Sequence, residues 1–265
     1  MAEIADSRKS RARNQFNTIA ADYDVGPGCF AHFGRRLVAE AAIEPEHRVL
    51  DIASGRGAVL FPCSEQLAPN GEVIGIDLAD EMVRVANEEA ARLGISARVR
   101  VMDAEHLSFA DATFDRVLCG FGIMFFPDQA RALAEFGRVL KPGGRIALST
   151  WRVPQTSELE SAMSDVAMQP MRPPGWITEP DVLSKLLATA GFTEISVKVD
   201  SHSFRYANID EYWRQARGTG MRATLDALSA SDAARLRDAL SRRVHPDGPG
   251  EFCSTSTALI AVASR

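Results

Sequence analysis

The sequence predicts an α/β protein built on a parallel sheet covered on both faces. Short apolar runs alternate with stretches of helical periodicity from residue 48 onward, the order that strand–helix–strand units produce. Each run is apolar almost throughout instead of alternating, as strands buried on both faces require. The chain has 265 residues, enough for one α/β domain with insertions or a domain with a small cap.

Residues 8–22 place Phe16, Ile19 and Ala20 at helical spacing. A turn-prone stretch follows at Asp24–Gly28, then a helix over Phe30–Ala42 that stops before Pro45. Arg48–Ala53 is the first strand and leads into SGRG, with a helix running on through Leu67. Glu72–Asp77 is the second strand, followed by a helix from Asp80 to Leu93. Arg98–Met102, Phe114–Gly120 and Arg145–Thr150 are strands three to five, with a helix over Gln129–Leu140 before the fifth. Beyond Trp151 the pattern is less regular. Ser157–Met168 reads as helix, the proline-rich Gln169–Pro180 as loop, and Asp181–Ala190 as a helix closed by Gly191. Ile195–Asp200 and Ser203–Tyr206 are strand-like, residues 208–244 form two or three helices, HPDGPG is a turn, and Glu251–Ala263 is the last strand.

Composition narrows the function. The hydrophobic fraction is 46% and the charged fraction 25%, ordinary for a soluble globular protein. A formal net charge of −5 gives no counterion-release drive toward nucleic acid. The densest basic run, Arg8, Lys9, Arg11 and Arg13, could touch an anionic substrate but reads first as a solvated helix face. No apolar stretch approaches the roughly 20 residues of a membrane helix, and the N-terminus lacks a signal-peptide core. Cys29, Cys63, Cys119 and Cys253 are scattered with no CxxC pair, so no metal site is expected and a reducing cytoplasm fits.

The chemistry concentrates at VLDIASGRG, Val49 to Gly57. Gly55 and Gly57 lack Cβ, so the turn after the buried strand can be tight and a ligand can approach the backbone. The free N–H groups that open the next helix favour negative charge. This alone suits NAD, FAD and S-adenosylmethionine equally, and it suits a plain α/β turn with Asp51 capping the helix. Three details separate them. Leu60 stands where a dinucleotide fold needs a third glycine or alanine. Asp51 lies inside the strand, where a carboxylate compensates an ammonium or sulfonium and repels a pyrophosphate. Asp77 ends the second strand, placed to accept from ribose hydroxyls, and is followed by Leu78 and by Met82, a soft face for adenine.

These residues carry a resemblance. VLDIASGRG resembles motif I of the class I S-adenosylmethionine-dependent methyltransferases, in particular the ubiquinone/menaquinone-biosynthesis-like branch that methylates small molecules. VIGIDLADEMVRVA is similar to that family's second motif, and VMDAEHLSFADATFDRVLCGFGIMFFPD to the stretch holding its adenine-binding acid, here Asp103. RVLKPGGRIALSTW resembles its turn into strand five, and FNTIAADYD its N-terminal lid. The likeness spans roughly residues 14–152.

The resemblance implies a Rossmann-like, seven-stranded, mostly parallel sheet with helices on both faces. It implies a helical lid over residues 1–44, a cofactor-binding core over 45–206, a helical cap over 207–248 before the last strand, and that strand over 249–265. The cofactor would be S-adenosylmethionine and the product S-adenosylhomocysteine. Its methionine end would lie over Gly55 and Gly57, its amino group near Ala53 and Cys119–Gly120, its ribose on Asp77. Asp103 would accept from the adenine amino group, the Ala104 N–H would reach a ring nitrogen, and Tyr23 would close the pocket. The chain departs from the family at Ala53-Ser54, still small, and at Arg56, which we read as pointing to solvent.

Methyl transfer is an in-line displacement at carbon, so alignment and desolvation supply much of the rate, and a base is needed only if the acceptor must lose a proton. Of five histidines, His32 in CFAHF is the candidate to touch a small-molecule acceptor. His106 lies at the rim of the site, His202 near a strand, and His47 and His245 beside turns. Phe30, Phe33, Phe121, Phe125 and Phe126 suggest an apolar pocket. The competing readings are a non-methylating protein of the same fold and, opposed by Leu60 and Asp51, an NAD(P)-dependent oxidoreductase.

Overall fold

A computed structural model describes residues 2–152, 158–168, 175–245 and 250–265. One seven-stranded sheet runs through it, in the order β3-β2-β1-β4-β5-β7-β6. The strands are β1 Arg48–Ile52, β2 Glu72–Asp77, β3 Arg98–Val101, β4 Phe114–Gly120, β5 Leu140–Trp151, β6 Thr193–Tyr206 and β7 Phe252–Ser264. β7 runs antiparallel to both its neighbours, and all other pairs are parallel. Strand order reverses beside β1: β2 and β3 lie on one side, β4 and β5 on the other. A crevice opens at the C-terminal ends of strands at such a reversal, and it sets where a ligand can bind.

The ten helices of the described residues are α1 Ala2–Ile19, α2 Cys29–Glu40, α3 Leu60–Ser64, α4 Asp80–Leu93, α5 Gln129–Val139, α6 Glu158–Asp165, α7 Pro180–Thr189, α8 Ile209–Arg217, α9 Arg222–Asp226 and α10 Ala230–Val244. Leu37, Val59, Leu60 and Val83 from α2, α3 and α4 cover one face of the sheet through Val49, Val73 and Leu118. Leu133, Phe136, Leu183 and Leu187 from α5 and α7 cover the other through Leu50, Ile52, Val117 and Ile146. Buried runs such as VLDI are apolar on both sides because both sides are covered. A third cluster joins α2, α6, α8 and α10 to Phe204, Tyr206 and Phe252 over the end of the sheet.

Local signals account for most boundaries. α4 stops at Gly94 in the left-handed conformation, and Asp128, Asn208 and Ser229 cap α5, α8 and α10. Asp24 caps α2 from outside, its carboxylate accepting the Phe30 and Ala31 N–H groups at 3.1 and 3.0 Å.

Three elements differ from the sequence reading. α3 is a short helix ending at Ser64, not one reaching Leu67; Pro62 sits within it and donates no backbone bond. β6 is one continuous strand from Thr193 to Tyr206 because β7 pairs along it past the polar Ser201-His202-Ser203. β5 begins at Leu140, since KPGG joins the ladder through Phe114 and a register shift. The loop expected over Gln169–Pro180 and the HPDGPG turn fall largely outside the described residues. No helix of the described residues is long and apolar enough to cross a membrane, and those residues hold no cluster suited to a metal ion.

Gly34 lets α2 lie directly on the backbone after the glycine turn, because an added Cβ would sit 2.1 Å from the Ala58 carbonyl oxygen. Gly34→Ala should therefore destabilise by about 3 kcal/mol in urea unfolding. Gly94→Ala meets open space at φ 68 and should lose only about 1 kcal/mol. Equal losses would contradict this packing.

Candidate active site

The glycine turn is built around one carboxylate. After β1 the chain reverses through Ala53, Gly55 and Gly57 at φ 55, 52 and 94. Asp77, at the end of β2, accepts the Gly55 N–H on Oδ2 and the Ala79 N–H on Oδ1, both at 2.8 Å. It thereby joins the first strand–helix turn to the second. Burial raises its pKa, and the backbone N–H groups oppose the rise. Ala53 holds its left-handed conformation under a close neighbour. A Cβ on Gly122 would lie 2.6 Å from the Ala53 Cβ, so the glycine at 122 makes room for the alanine at 53.

Asp51 lies beneath the turn, wholly buried, and neither of its carboxylate oxygens has a hydrogen-bond partner. The Ser54 hydroxyl donates to the Asp51 carbonyl at 2.9 Å. Burial pushes this carboxyl up to about 8, although the Ser54 hydroxyl and the Leu60 N–H lie near enough to oppose the rise. A buried orphan carboxylate beside a binding turn suits a ligand that brings positive charge.

The N-terminal helix closes the other end. Lys9 of α1 pairs with Asp103 at 2.7 Å and Glu105 at 2.6 Å. Burial alone would lower the Lys9 pKa, but the hydrogen bonds and charges of the two acids leave it raised. Burial would raise that of Asp103, but Lys9, the Glu105 N–H and His106 leave it lowered. Further along α1, Arg13 and Asn17 both bond Asp80. Arg56 is not turned to solvent: its guanidinium donates to the Ala21 and Tyr23 carbonyls at 3.1 and 3.0 Å and ties the lid to the glycine turn.

Two cavities share a wall. The cleft over the sheet is lined by Ala53, Gly55, Asp77, Leu78 and Met82, and by Asp103, Ala104, Gly120 and Tyr23. It encloses about 80 Å³ with α1 in place. With α1 in place, little free room is left over the glycine turn. Asp51, Ser54, Gly57 and Cys119 stand behind the lining. A Gly57 Cβ would strike the Phe61 ring at 2.6 Å, so that glycine serves packing. The second cavity, of about 1010 Å³, lies between α1, α6, α8 and α9. Ala12, Phe16, Tyr23, Phe121 and Phe125 line both. Tyr23 stacks on Phe30 at 4.8 Å and Phe121 on Trp151 at 4.0 Å, so the partition is aromatic.

His32 is not where the sequence reading put it. It lines neither cavity; its ring stacks on His202 of β6 at 3.8 Å. The inward positions of α2 are Cys29, Phe30, Phe33 and Leu37, and His32 lies on the opposite side. No histidine lines either cavity among the described residues. Phe30, Phe121 and Phe125 line the large cavity and Phe126 the cleft, while Phe33 is core. The basic run of α1 is only partly a solvated face: Arg11 and Arg13 are exposed, while Arg8 and Lys9 are half-buried. Lys9 and Arg13 line the cleft, Arg8 and Arg11 the large cavity. Spacings of four and three residues place each pair on its own face, and that signal was present in the sequence.

Fold and site together define an α/β domain whose cleft over the glycine turn shares an aromatic wall with a larger cavity. A methyltransferase-domain family matches residues 49–144. Aklanonic acid methyltransferase DauC of a Streptomyces species is 39% identical over 146 residues, 54% of this chain and 66% of that protein. The ubiquinone/menaquinone biosynthesis C-methyltransferase UbiE of a Marinomonas species is 34% identical over 171 residues, 62% of this chain and 68% of that protein. The crystal structure of the YcgJ protein of Bacillus subtilis superposes with a TM-score of 0.59 at 23% identity, over 88% of this chain and 99% of that one, a likeness of fold. The chain belongs to the class I S-adenosylmethionine-dependent methyltransferases. Its matches span from 53% to 66% of the length of the first curated relatives, the methyltransferases of aklanonic acid, nocamycin and demethylmenaquinone.

Asp51 titrates above its ordinary value of 3.8, so the folded chain retains a proton that the unfolded chain releases. Its contribution to stability falls as pH rises from about 4 to about 8 and then levels off. Asp51→Asn should therefore raise the melting temperature of the ligand-free protein more at pH 8 than at pH 5, a gain of about 2–4 kcal/mol at pH 8. Equal shifts at both pH values would remove Asp51 as the cause. Lys9→Met should release α1: S-adenosylhomocysteine should associate several-fold faster in stopped flow, while unfolding loses about 1–2 kcal/mol. An unchanged association rate would show that this ion pair does not hold the lid.

Proposed function

We propose that the chain is a methyltransferase that moves the methyl group of S-adenosylmethionine onto a small organic molecule. One observation carries this most: the orphaned Asp51 and the bridging Asp77 flank a single glycine turn, and the cleft there meets a large capped cavity through an aromatic partition. The cofactor, when bound, supplies a methyl group on a positively charged sulfur, an electrophile that needs no metal or added acid.

The residues around it bind, orient and exclude water. Asp77 takes the ribose hydroxyls with the lone pairs left free by Gly55 and Ala79. Asp51 compensates the positive methionine end from below, directly or through water, with Ala53, Ser54, Gly55, Gly57, Cys119 and Gly120 shaping the backbone around that end. Met82 and Leu78 pack on the base. Asp103 takes the adenine amino group once Lys9 is displaced from it, and the Ala104 N–H reaches the ring. Tyr23, whose phenol burial keeps protonated, closes the partition.

Phe16, Phe121 and Phe125 hold the acceptor in line and keep water out, which supplies much of the rate for such a displacement. Cys29, a thiol pushed up to about 12 by burial, lines the acceptor cavity without becoming a nucleophile. The names of the relatives, which act on a polyketide acid and on quinones, support a ring-bearing acceptor. We further propose the division into lid 1–44, core 45–206, cap 207–248 and final strand 249–265, and a reducing cytoplasm as its compartment, supported by four free cysteines.

Calorimetry with S-adenosylhomocysteine tests the reading. Binding is expected, and Asp77→Asn should weaken it by about 30-fold or more. A folded wild-type protein without binding would overturn the proposal. Labelled cofactor with a metabolite extract then identifies the acceptor; binding without any transfer would favour a non-methylating role.

A further inference from the structure

The large cavity carries an unbalanced charge. Its charged lining residues, among those described, are Arg8, Arg11, Arg152 and one carboxylate, Glu160. Arg8 and Arg11 stand one turn apart on α1. Arg152 directly follows Trp151 at the end of β5, half-buried, and its backbone N–H donates to the Thr257 carbonyl at 3.0 Å. That bond fixes where its side chain starts. The guanidinium has no hydrogen bond or ion pair with any described residue.

Of the other half-buried or buried arginines described, all but Arg145 of β5 are committed. Arg116 donates to the Ala41 and Ala42 carbonyls, Arg56 to the Ala21 and Tyr23 carbonyls, and Arg138 pairs with Glu135 and Asp111. A half-buried guanidinium facing an aromatic cavity is costly unless something pairs with it. The cofactor would add another positive charge at the partition. Among the described residues no histidine lines the cavity to deprotonate an acceptor, and an acceptor that arrives ionised needs no such base. The stacked pair Phe121–Trp151, with Phe30 edge-on to both rings, presents flat surfaces next to Arg152. At about 1010 Å³ the cavity is at the upper end of the range for small-ligand sites, too roomy for a single ring to fill.

We infer that the large cavity selects a planar, multi-ring organic carboxylate, with Arg152 pairing the carboxylate while the rings lie against Phe121, Trp151 and Phe30. This rests on the reading of the large cavity as the acceptor site. The pairing is a specificity contact and forms no covalent bond.

The test uses anthraquinone-2-carboxylate and its uncharged primary amide, titrated into the full chain saturated with S-adenosylhomocysteine. Wild type should bind the carboxylate about tenfold or more tightly than the amide. Arg152→Gln should bring the two to within about threefold, with the affinity for S-adenosylhomocysteine unchanged and the melting temperature equal or higher. Arg152→Lys, which keeps the charge but loses the planar fork, should fall between them and serves if the glutamine variant does not fold. Equal binding of both probes to wild type, binding of neither, or a preference that survives in Arg152→Gln would overturn the inference. Carboxylate preference without binding of S-adenosylhomocysteine would overturn the methyltransferase reading alone; the converse would overturn the inference alone.

Discussion

The site depends on the two hydrogen bonds that Asp77 accepts from Gly55 and Ala79. Parallel strands have no turn between them to fix the relation of their ends. Each is followed by its own loop and helix, and neighbouring loops are free to drift apart. A carboxylate at the end of β2 that grips the turn after β1 removes that freedom. It does so with charge-assisted bonds, stronger than those between neutral groups, in a buried setting where they are weakly screened. Ser54 adds a second tie, its N–H donating to the Ile76 carbonyl at 2.9 Å. The residue that organises the turn thus also lines the cleft.

Around this pair the chain is crowded, and the crowding explains which residues are small. Gly34 lets α2 touch backbone, Gly75 leaves space for the Ser54 hydroxyl, and Gly122 accommodates Ala53. Ala53 and Phe121 both hold positive φ without being glycine. Such strain persists only where neighbours over-determine it, and both residues line the cleft. Packing density is spent at this turn to hold a few backbone N–H groups and one uncompensated carboxylate in place.

Much of the core was legible in the amino-acid sequence because its signals are local. β2, β4 and α4 have the limits read for them, since charged and turn-forming residues bracket apolar runs buried on both faces. Asp77 and the glycines stood out from their places at the strand ends, and Asp103 only from the family resemblance. What was not legible depended on partners distant in the chain. β6 reads as two pieces by itself and becomes one strand only through its pairing with β7. His32 looked promising from its neighbours Phe30 and Phe33, but the side of α2 that holds it faces β6. Arg36, four residues on, lies on that side and pairs with Asp200. The roles of Lys9, Arg56 and Arg152 arise from contacts or open space that no stretch of sequence around them encodes.

The basic run of α1 has one further consequence. A single rigid rod presents Lys9 and Arg13 to one cavity and Arg8 and Arg11 to the other. A tilt of that rod would alter both volumes at once, and Gln15 ties it to the turn between α8 and α9 through its bond to the Gly220 carbonyl. Occupancy of one chamber would then change the free energy of filling the other, by the same factor in both directions. The helix is a lever with two loads, and the order in which they are taken up is a property of the lever as much as of either chamber.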